Sequence, residues 1–204
     1  APLPGVELRR AEDGEILVRG RSVTPGYWNR PERTAAAFTD EGFLRTGDVG
    51  VLGTDGFLTL TERKKDIIVT AGGRSIAPRR IEERLARSPY LRRAVVVGDG
   101  RPFLVALLVP EPGALVRWAE GEGLAGDLSA LLRQPKVRAL LAHEVERVNA
   151  SLAGYEAVRR FEVISADVDE LLTPTGRIKR PLVRRRFADV IEALYEGSLP
   201  GPRL

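Results

Sequence analysis

Residues 62–78 read ERKKDIIVTAGGRSIAP, and the character of the chain changes inside this stretch. Five charged residues, Glu62-Arg63-Lys64-Lys65-Asp66, come first. A polar run with few apolar anchors packs weakly on either side and suits a hinge. The apolar Ile67-Ile68-Val69 then reads as a strand, Gly72-Gly73 as a tight turn, and Ser75-Ile76 as a short return strand. Pro78 opens a helix, with Ile81 and Leu85 one turn apart on a single face.

Toward the N-terminus the pattern is mostly β. Residues 14–20 form a strand. Residues 24–38 begin as a Pro/Gly turn and run into a short helix through Pro31. Residues 43–60 form two strands joined by Gly53-Thr54-Asp55-Gly56. Toward the C-terminus strands and helices mix. Residues 92–98 and 102–110 are two apolar strands joined by Gly98-Asp99-Gly100. Residues 112–133 hold two short helices separated by Gly121, Gly123 and Gly126. Val137, Leu140, Leu141, Val145, Val148 and Leu152 make one stripe on a long helix. Residues 161–164 are a strand, and 181–196 a last amphipathic helix that tolerates Pro181 in its first turn. The fold class expected is α+β: a β-rich segment over 1–62, a hinge at 63–66, and a small mixed domain over 67–204.

Composition removes several kinds of chemistry. The 204 residues include no cysteine, so a disulfide framework, a thiol nucleophile and a thiolate metal site are excluded. His143 is the one histidine, so a multi-histidine metal site is excluded too, and it is expected on a helix face without a catalytic role. No apolar run approaches the ~20 residues that span a bilayer, and no secretory signal is visible, so the expected setting is the cytoplasm. The net charge is +4 with a pI near 9.7. Lys64, Lys65, Lys136 and Lys179 are the only lysines. No aromatic–basic interleaving of the kind that stacks bases is present, so no nucleic-acid partner is expected. Methionine is absent, which favours an excised piece over a separate small protein.

Four places can carry chemistry. Asp48, at the end of Arg45-Thr46-Gly47-Asp48, puts a short carboxylate where the backbone can turn. Such a group accepts hydrogen bonds from a vicinal diol such as ribose, or merely caps its own turn. Arg63 suits a phosphate or a ribose hydroxyl, or a solvated linker face. Gly72-Gly73 gives either a hairpin turn or close approach by a ligand. In Leu172-Thr173-Pro174-Thr175-Gly176-Arg177-Ile178-Lys179-Arg180, a Pro/Gly loop carries three cations. Extended backbone turns Arg177 and Lys179 the same way, which suits an anion, or simply a surface loop. No phosphate loop or dinucleotide fingerprint occurs in the chain.

Taken in order, these motifs resemble the adenylate-forming superfamily of acyl-CoA synthetases, peptide-synthetase adenylation domains and luciferases. The likeness runs from Gly14 to about Tyr195. Gly14-Glu15-Ile16 through Gly20 and Gly26-Tyr27-Trp28-Asn29-Arg30-Pro31-Glu32 resemble the block that ends the family's large domain. Leu44 to Asp48 resembles its ribose-binding block. Residues 62–78 resemble its hinge block in the long-chain fatty acid form, as do Val97 to Leu104 and the LLTPT loop.

The resemblance implies an ATP-dependent long-chain fatty acyl-CoA synthetase. A fatty acid would attack Mg-ATP to give acyl-AMP, and coenzyme A would then give the thioester. It implies that Asp48 and Arg63 hold AMP and that Lys65 is the pivot. Gly72 and Gly73 would serve the thioester step, and Arg177 or Lys179 would supply the adenylation cation. It also implies a missing N-terminal large domain as partner, carrying the ATP phosphate loop, the Mg2+ site and the acyl pocket. The isolated chain is therefore expected to be inactive, with membrane association at most peripheral. One position departs from the family: its lysine slot after Thr173-Pro174-Thr175-Gly176 holds Arg177. Arginine keeps the charge but not the compact ammonium, which leaves open a non-catalytic binding or regulatory module that retains the lid fold.

Overall fold

The computed structural model describes residues 2–164 and 169–197. The remaining parts of the expected lid, 165–168 and 198–204, and position 1 fall outside the described residues. The chain forms two compact units, Ala1–Ile67 and Ile68–Leu204.

The first unit is an antiparallel meander in the order β1-β2-β3-β4. Its strands are β1 (Val6–Arg10), β2 (Glu15–Gly20), β3 (Leu44–Leu52) and β4 (Leu58–Arg63), with the short helix α1 (Pro31–Ala37) between β2 and β3. The first strand was not legible in the sequence. The β3–β4 turn is the expected Gly53-Thr54-Asp55-Gly56: Gly53 N–H bonds Phe57 C=O at 2.8 Å, and Asp55 Oδ1 accepts Phe57 N–H at 3.0 Å. Phe43 is fully buried, its ring flanked by the guanidinium groups of Arg9 and Arg19 at 4.3 and 4.4 Å.

Two irregularities in this sheet lie beside Asp48. Glu15 pairs with Val49, yet Leu17 pairs with Arg45, so Thr46, Gly47 and Asp48 bulge out opposite Ile16. Gly47 sits at φ 68°, where a Cβ would be strained. Between β3 and β4, Asp48 pairs with Arg63 and Val49 with Glu62, but Gly50 pairs with Leu60, which leaves Thr61 as an extra residue on β4.

The second unit is built on a three-stranded sheet in the order β7-β8-β9. The strands are β7 (Leu91–Val97), β8 (Leu104–Pro110) and β9 (Val158–Val163). The first pair is antiparallel and the second parallel. A parallel neighbour needs a long crossover, and here α3 (Pro112–Gly121), α4 (Leu128–Leu132) and α5 (Pro135–Asn149) supply it. Every residue of β8 is buried, and alternation sends its side chains into two different cores. Leu104, Ala106 and Leu108 meet Ile81, Leu85, Leu115, Leu141 and Val145. Val105, Leu107 and Val109 meet Val183, Ile191 and Leu194. Fully burying a Leu or Val contributes about 1.5–3 kcal/mol, so one strand of this kind holds both layers together.

Ahead of the sheet lie the small hairpin β5 (Ile68–Val69) and β6 (Ser75–Ile76) and the helix α2 (Pro78–Leu85), as expected. The strand expected at 161–164 begins earlier, at Val158, and Leu152 lies beyond the end of α5. His143 is exposed on α5. The last helix departs from expectation. It is two helices, α6 (Arg180–Arg186) and α7 (Ala188–Glu196), broken at Phe187, whose φ and ψ are −113° and 25°. No Gly or Pro marks the break. Val183 on α6 and Ile191 and Leu194 on α7 all reach the second core across the break. Gly197 ends α7 in the left-handed region, its N–H bonding Ala193 C=O at 3.0 Å.

Candidate functional site

In the first unit the expected nucleotide residues meet. Asp48 and Arg63 are directly opposite on β3 and β4. Arg63 Nε lies 2.6 Å from Asp48 Oδ1. Its N–H is not directed at that oxygen, so the contact is an ion pair, and Nε, closed off from solvent, makes no hydrogen bond to a described residue. Both side chains keep partial exposure, 40% for Arg63 and 23% for Asp48, so a ligand can reach the pair.

The bulge shapes the support beneath Asp48. Thr46 Oγ1 donates to Ile16 C=O at 2.6 Å and accepts Asp48 N–H at 3.1 Å. Gly47 N–H donates to Glu15 Oε1 at 2.9 Å. The side chains of Thr46 and Glu15 thus replace ladder bonds that the bulge removes. Lys64 closes the assembly, with its Nζ 2.9 Å from Glu15 Oε2 and 2.6 Å from Asp13 Oδ2. Its bond to Lys64, then the Glu15 N–H, hold the Asp13 carboxyl below its ordinary 3.8. Asp13, then Glu15, hold the Lys64 ammonium above its ordinary 10.5. Lys65, the expected pivot, is exposed in the single 3-10 turn Lys64–Asp66.

In the second unit Gly72 and Gly73 form the β5–β6 turn. Gly73 N–H bonds Thr70 C=O at 2.9 Å with φ 73°, so the turn reading is satisfied at Gly73. Apart from its chain neighbours, no heavy atom of the described residues lies within 4 Å of a Cβ built at either glycine, so their surface is open among the described residues. The turn is stitched to the β7–β8 connection: Ala71 N–H bonds Arg101 C=O at 2.9 Å, and Gly100 N–H bonds Val69 C=O at 2.8 Å.

The cationic loop is closed by a bridge between Leu172 and Ile178. Thr173 N–H bonds Arg177 C=O at 2.8 Å, and Arg177 N–H bonds Thr173 Oγ1 at 3.1 Å. Alternation holds as expected. Ile178 turns in to the second core while Arg177 and Lys179 are exposed. Lys179 Nζ bends back to Glu170 C=O at 3.3 Å, whereas Arg177 has no ion-pair partner among the described residues. Arg180 fixes the end of the loop. It pairs with Glu82 at 2.8 Å and donates to Val96 C=O at 3.2 Å, while Glu82 Oε1 accepts Val96 N–H at 2.8 Å. Among the described residues no group of three or more His, Cys, Asp or Glu could hold a metal ion.

Sequence reasoning gave no role to Glu15, Asp13 or Glu82, and counted Arg180 only as one of three cations on the loop. The usable signal was, for Glu15 alone, an acidic residue placed directly before the apolar Ile16-Leu17-Val18.

Residues 65–199 match the family of AMP-binding enzyme C-terminal domains. The chain belongs to that family. Among its relatives, the long-chain-fatty-acid–CoA ligase FadD15 of Mycobacterium tuberculosis is 43% identical over 199 residues, covering 95% of this chain and 33% of that protein. Human long-chain-fatty-acid–CoA ligase 6 is 35% identical over 193 residues, covering 92% of this chain and 28% of that one. The chain therefore spans about a third of the length of the curated relatives it matches. The adenylation domain of a carboxylate reductase from Mycobacterium chelonae has a TM-score of 0.75 at 27% identity, covering 94% of this chain and 31% of that one. The amide bond synthetase McbA of Marinactinospora thermotolerans has a TM-score of 0.62 at 32% identity, covering 91% and 35%. The mixed α+β architecture of this AMP-binding-enzyme chain is the one these domains share. Among the described residues no helix is long and apolar enough to cross a membrane.

Proposed function

We propose that this chain is the C-terminal portion of an ATP-dependent long-chain fatty acyl-CoA synthetase, comprising the end of the large domain (1–62), a hinge (63–66) and the lid (67–204). The observation that carries the reading is the pairing of Asp48 with Arg63 at 2.6 Å, one residue pair ahead of Lys64 and Lys65. A carboxylate is acceptor-only and a guanidinium donor-only, so the pair offers complementary partners to a ribose and its phosphate.

In this reading Asp48 and Arg63 hold AMP, and the lid rotates about Lys65. One lid then serves two steps by presenting different faces. Arg177 or Lys179 is the cation beside the charge that develops during adenylation. Arg177 is exposed and Lys179 is tied only to a carbonyl, so either can turn to an anion without breaking an ion pair to a described residue. Gly72 and Gly73, with open surface where side chains would stand, line the approach of the coenzyme A thiol. The ATP phosphate grip and the acyl pocket are assigned to a large domain joined to this chain, so the chain alone completes neither step. Mg2+ enters as Mg-ATP, with no ligands assigned here and no step routed through it. The setting proposed is the cytoplasm, with peripheral membrane contact at most.

The test is ATP–pyrophosphate exchange by the full-length protein carrying Arg177→Ala or Lys179→Ala. Loss of a positioned transition-state cation costs on the order of 100-fold in rate. At least one variant should fall that far, and wild-type exchange by both sinks the assignment of this loop. The lysine slot filled by Arg177 favours a second reading, a non-catalytic module with the lid fold. Absence of exchange in the unaltered protein, together with its appearance on Arg177→Lys, would support that alternative.

A further inference from the structure

Glu15 is the most buried charged side chain of the first unit, at 2% exposure, and neither proposed step uses it. A carboxylate taken that far from water must be paired or hydrogen-bonded to be tolerated. Each oxygen has its own partner. Oε1 accepts the N–H of Gly47 at 2.9 Å, and Oε2 meets Lys64 Nζ at 2.9 Å with Arg45 further off at 3.9 Å. Gly47 is the residue before Asp48. Lys64 is the residue between Arg63 and Lys65. Asp48 and Arg63 then meet each other at 2.6 Å. The contacts form a closed circuit, Glu15 to Gly47, along the chain to Asp48, across to Arg63, along the chain to Lys64, and back to Glu15.

We infer that Glu15 is a positioning residue for both the nucleotide grip and the hinge. Through Gly47 it sets where the Asp48 carboxylate stands, and through Lys64 it pins the stationary end of the hinge, so that rotation begins at Lys65. This role rests on those proposed for Asp48 and Lys65.

The geometry supports the two arms unequally. The Gly47 arm is short and backbone-borne: Gly47 stands at φ 68° with its N–H facing Glu15 Oε1. A group held through two bonds in a buried site loses little freedom when a ligand binds, which is how a supporting residue raises affinity. The Lys64 arm is shared with Asp13, whose Oδ2 lies 2.6 Å from the same Nζ. Two carboxylates on one ammonium restrain Lys64 more than either would alone, and Lys65, next in the chain, is exposed. The torsions that swing the lid are therefore those on the C-terminal side of Lys64.

The experiment uses the full-length protein with Asp48→Ala, Glu15→Gln and Lys64→Ala. Three quantities are read for each: KM for ATP in pyrophosphate exchange, the rate of thioester formation from preformed acyl-adenylate and coenzyme A relative to the exchange rate, and the melting temperature. Asp48→Ala should raise KM for ATP by roughly tenfold or more. Glu15→Gln keeps an acceptor for Gly47 but puts an amide before Lys64, and should raise KM by roughly threefold while shifting the ratio of the two steps. Lys64→Ala should shift that ratio by roughly threefold or more with little change in KM. A packing-only Glu15 would lower the melting temperature with KM and ratio unchanged, and that result overturns the proposal. If Glu15→Gln fails to fold, the surface variant Lys64→Ala decides, and an unchanged ratio overturns it. If Asp48→Ala leaves KM unaltered, the ribose assignment falls and takes this proposal with it. An effect of Asp48→Ala with silence at Glu15 and Lys64 removes this proposal alone.

Discussion

Each unit of this chain has a buried glutamate under a loop for which a role is proposed, and the two glutamates are paired differently. Glu82 sits under the second unit's cationic loop and pairs with Arg180, whose side chain is only 10% exposed. Around them Ile81 and Leu85 belong to a large apolar core. Glu15 sits under the first unit's Asp48 bulge and pairs with Lys64, whose side chain is 44% exposed. The first arrangement is a clamp sealed from water and salt. The second is a tether with one end in solvent, where screening and competing water weaken it. A clamp suits a loop that must travel with its domain as one rigid piece. A tether suits the edge of a moving joint.

The sharpest way to break this contrast is to remove one partner from each pair and compare melting temperatures. Glu82→Ala removes a buried carboxylate that pairs with the nearly buried Arg180 and should cost about 3–5 kcal/mol of stability. A smaller loss than that from Lys64→Ala would be expected in the same assay, since the ammonium is already half in water. Equal losses would erase the distinction between clamp and tether.

Gly47→Ala probes the bulge with a smaller effect. A Cβ at φ 68° comes within 4 Å of no described residue beyond its chain neighbours, so the cost is backbone strain, about 1–2 kcal/mol. Thermal denaturation of the variant measures it, and an unchanged melting temperature would mean that the bulge relaxes freely.

The smallest effect concerns pH. Asp13 has its folded pKa lowered below 3.8, so its contribution is complete above that value and is lost as pH falls through the lowered one. Lys64 has its folded pKa raised above 10.5, so its contribution is complete below that value and is lost as pH rises through the raised one. The tether should therefore add no pH dependence between about pH 5 and 9. Melting curves of wild type and Lys64→Ala should run parallel across that window and converge outside it.

Much of this was legible in the sequence because the signals were local. The Gly53-Thr54-Asp55-Gly56 turn, the Gly72-Gly73 hairpin, Pro78 opening α2 and the apolar runs of β7 and β8 each depend on near neighbours. Asp48 and Arg63 were marked together by resemblance, and they stand opposite each other in the β3–β4 register. What escaped depends on distant partners. Arg180 meets Glu82 and Val96 across the fold, and nothing in Lys179-Arg180-Pro181 announces it. The parallel partner of β8 lies beyond three helices. No local residue marks the break at Phe187, and the helical period of 181–196 runs straight through it.

The placement of β9 has a consequence during synthesis. Its parallel pairing with β8 cannot form until Val158 has left the ribosome, long after Leu104–Pro110 has emerged. Throughout the translation of residues 111–157 one edge of that wholly apolar strand has no hydrogen-bonding neighbour, and bare apolar edges recruit other chains. A nascent chain halted before residue 158 should be a client for chaperones, and one that reaches Val163 should release them.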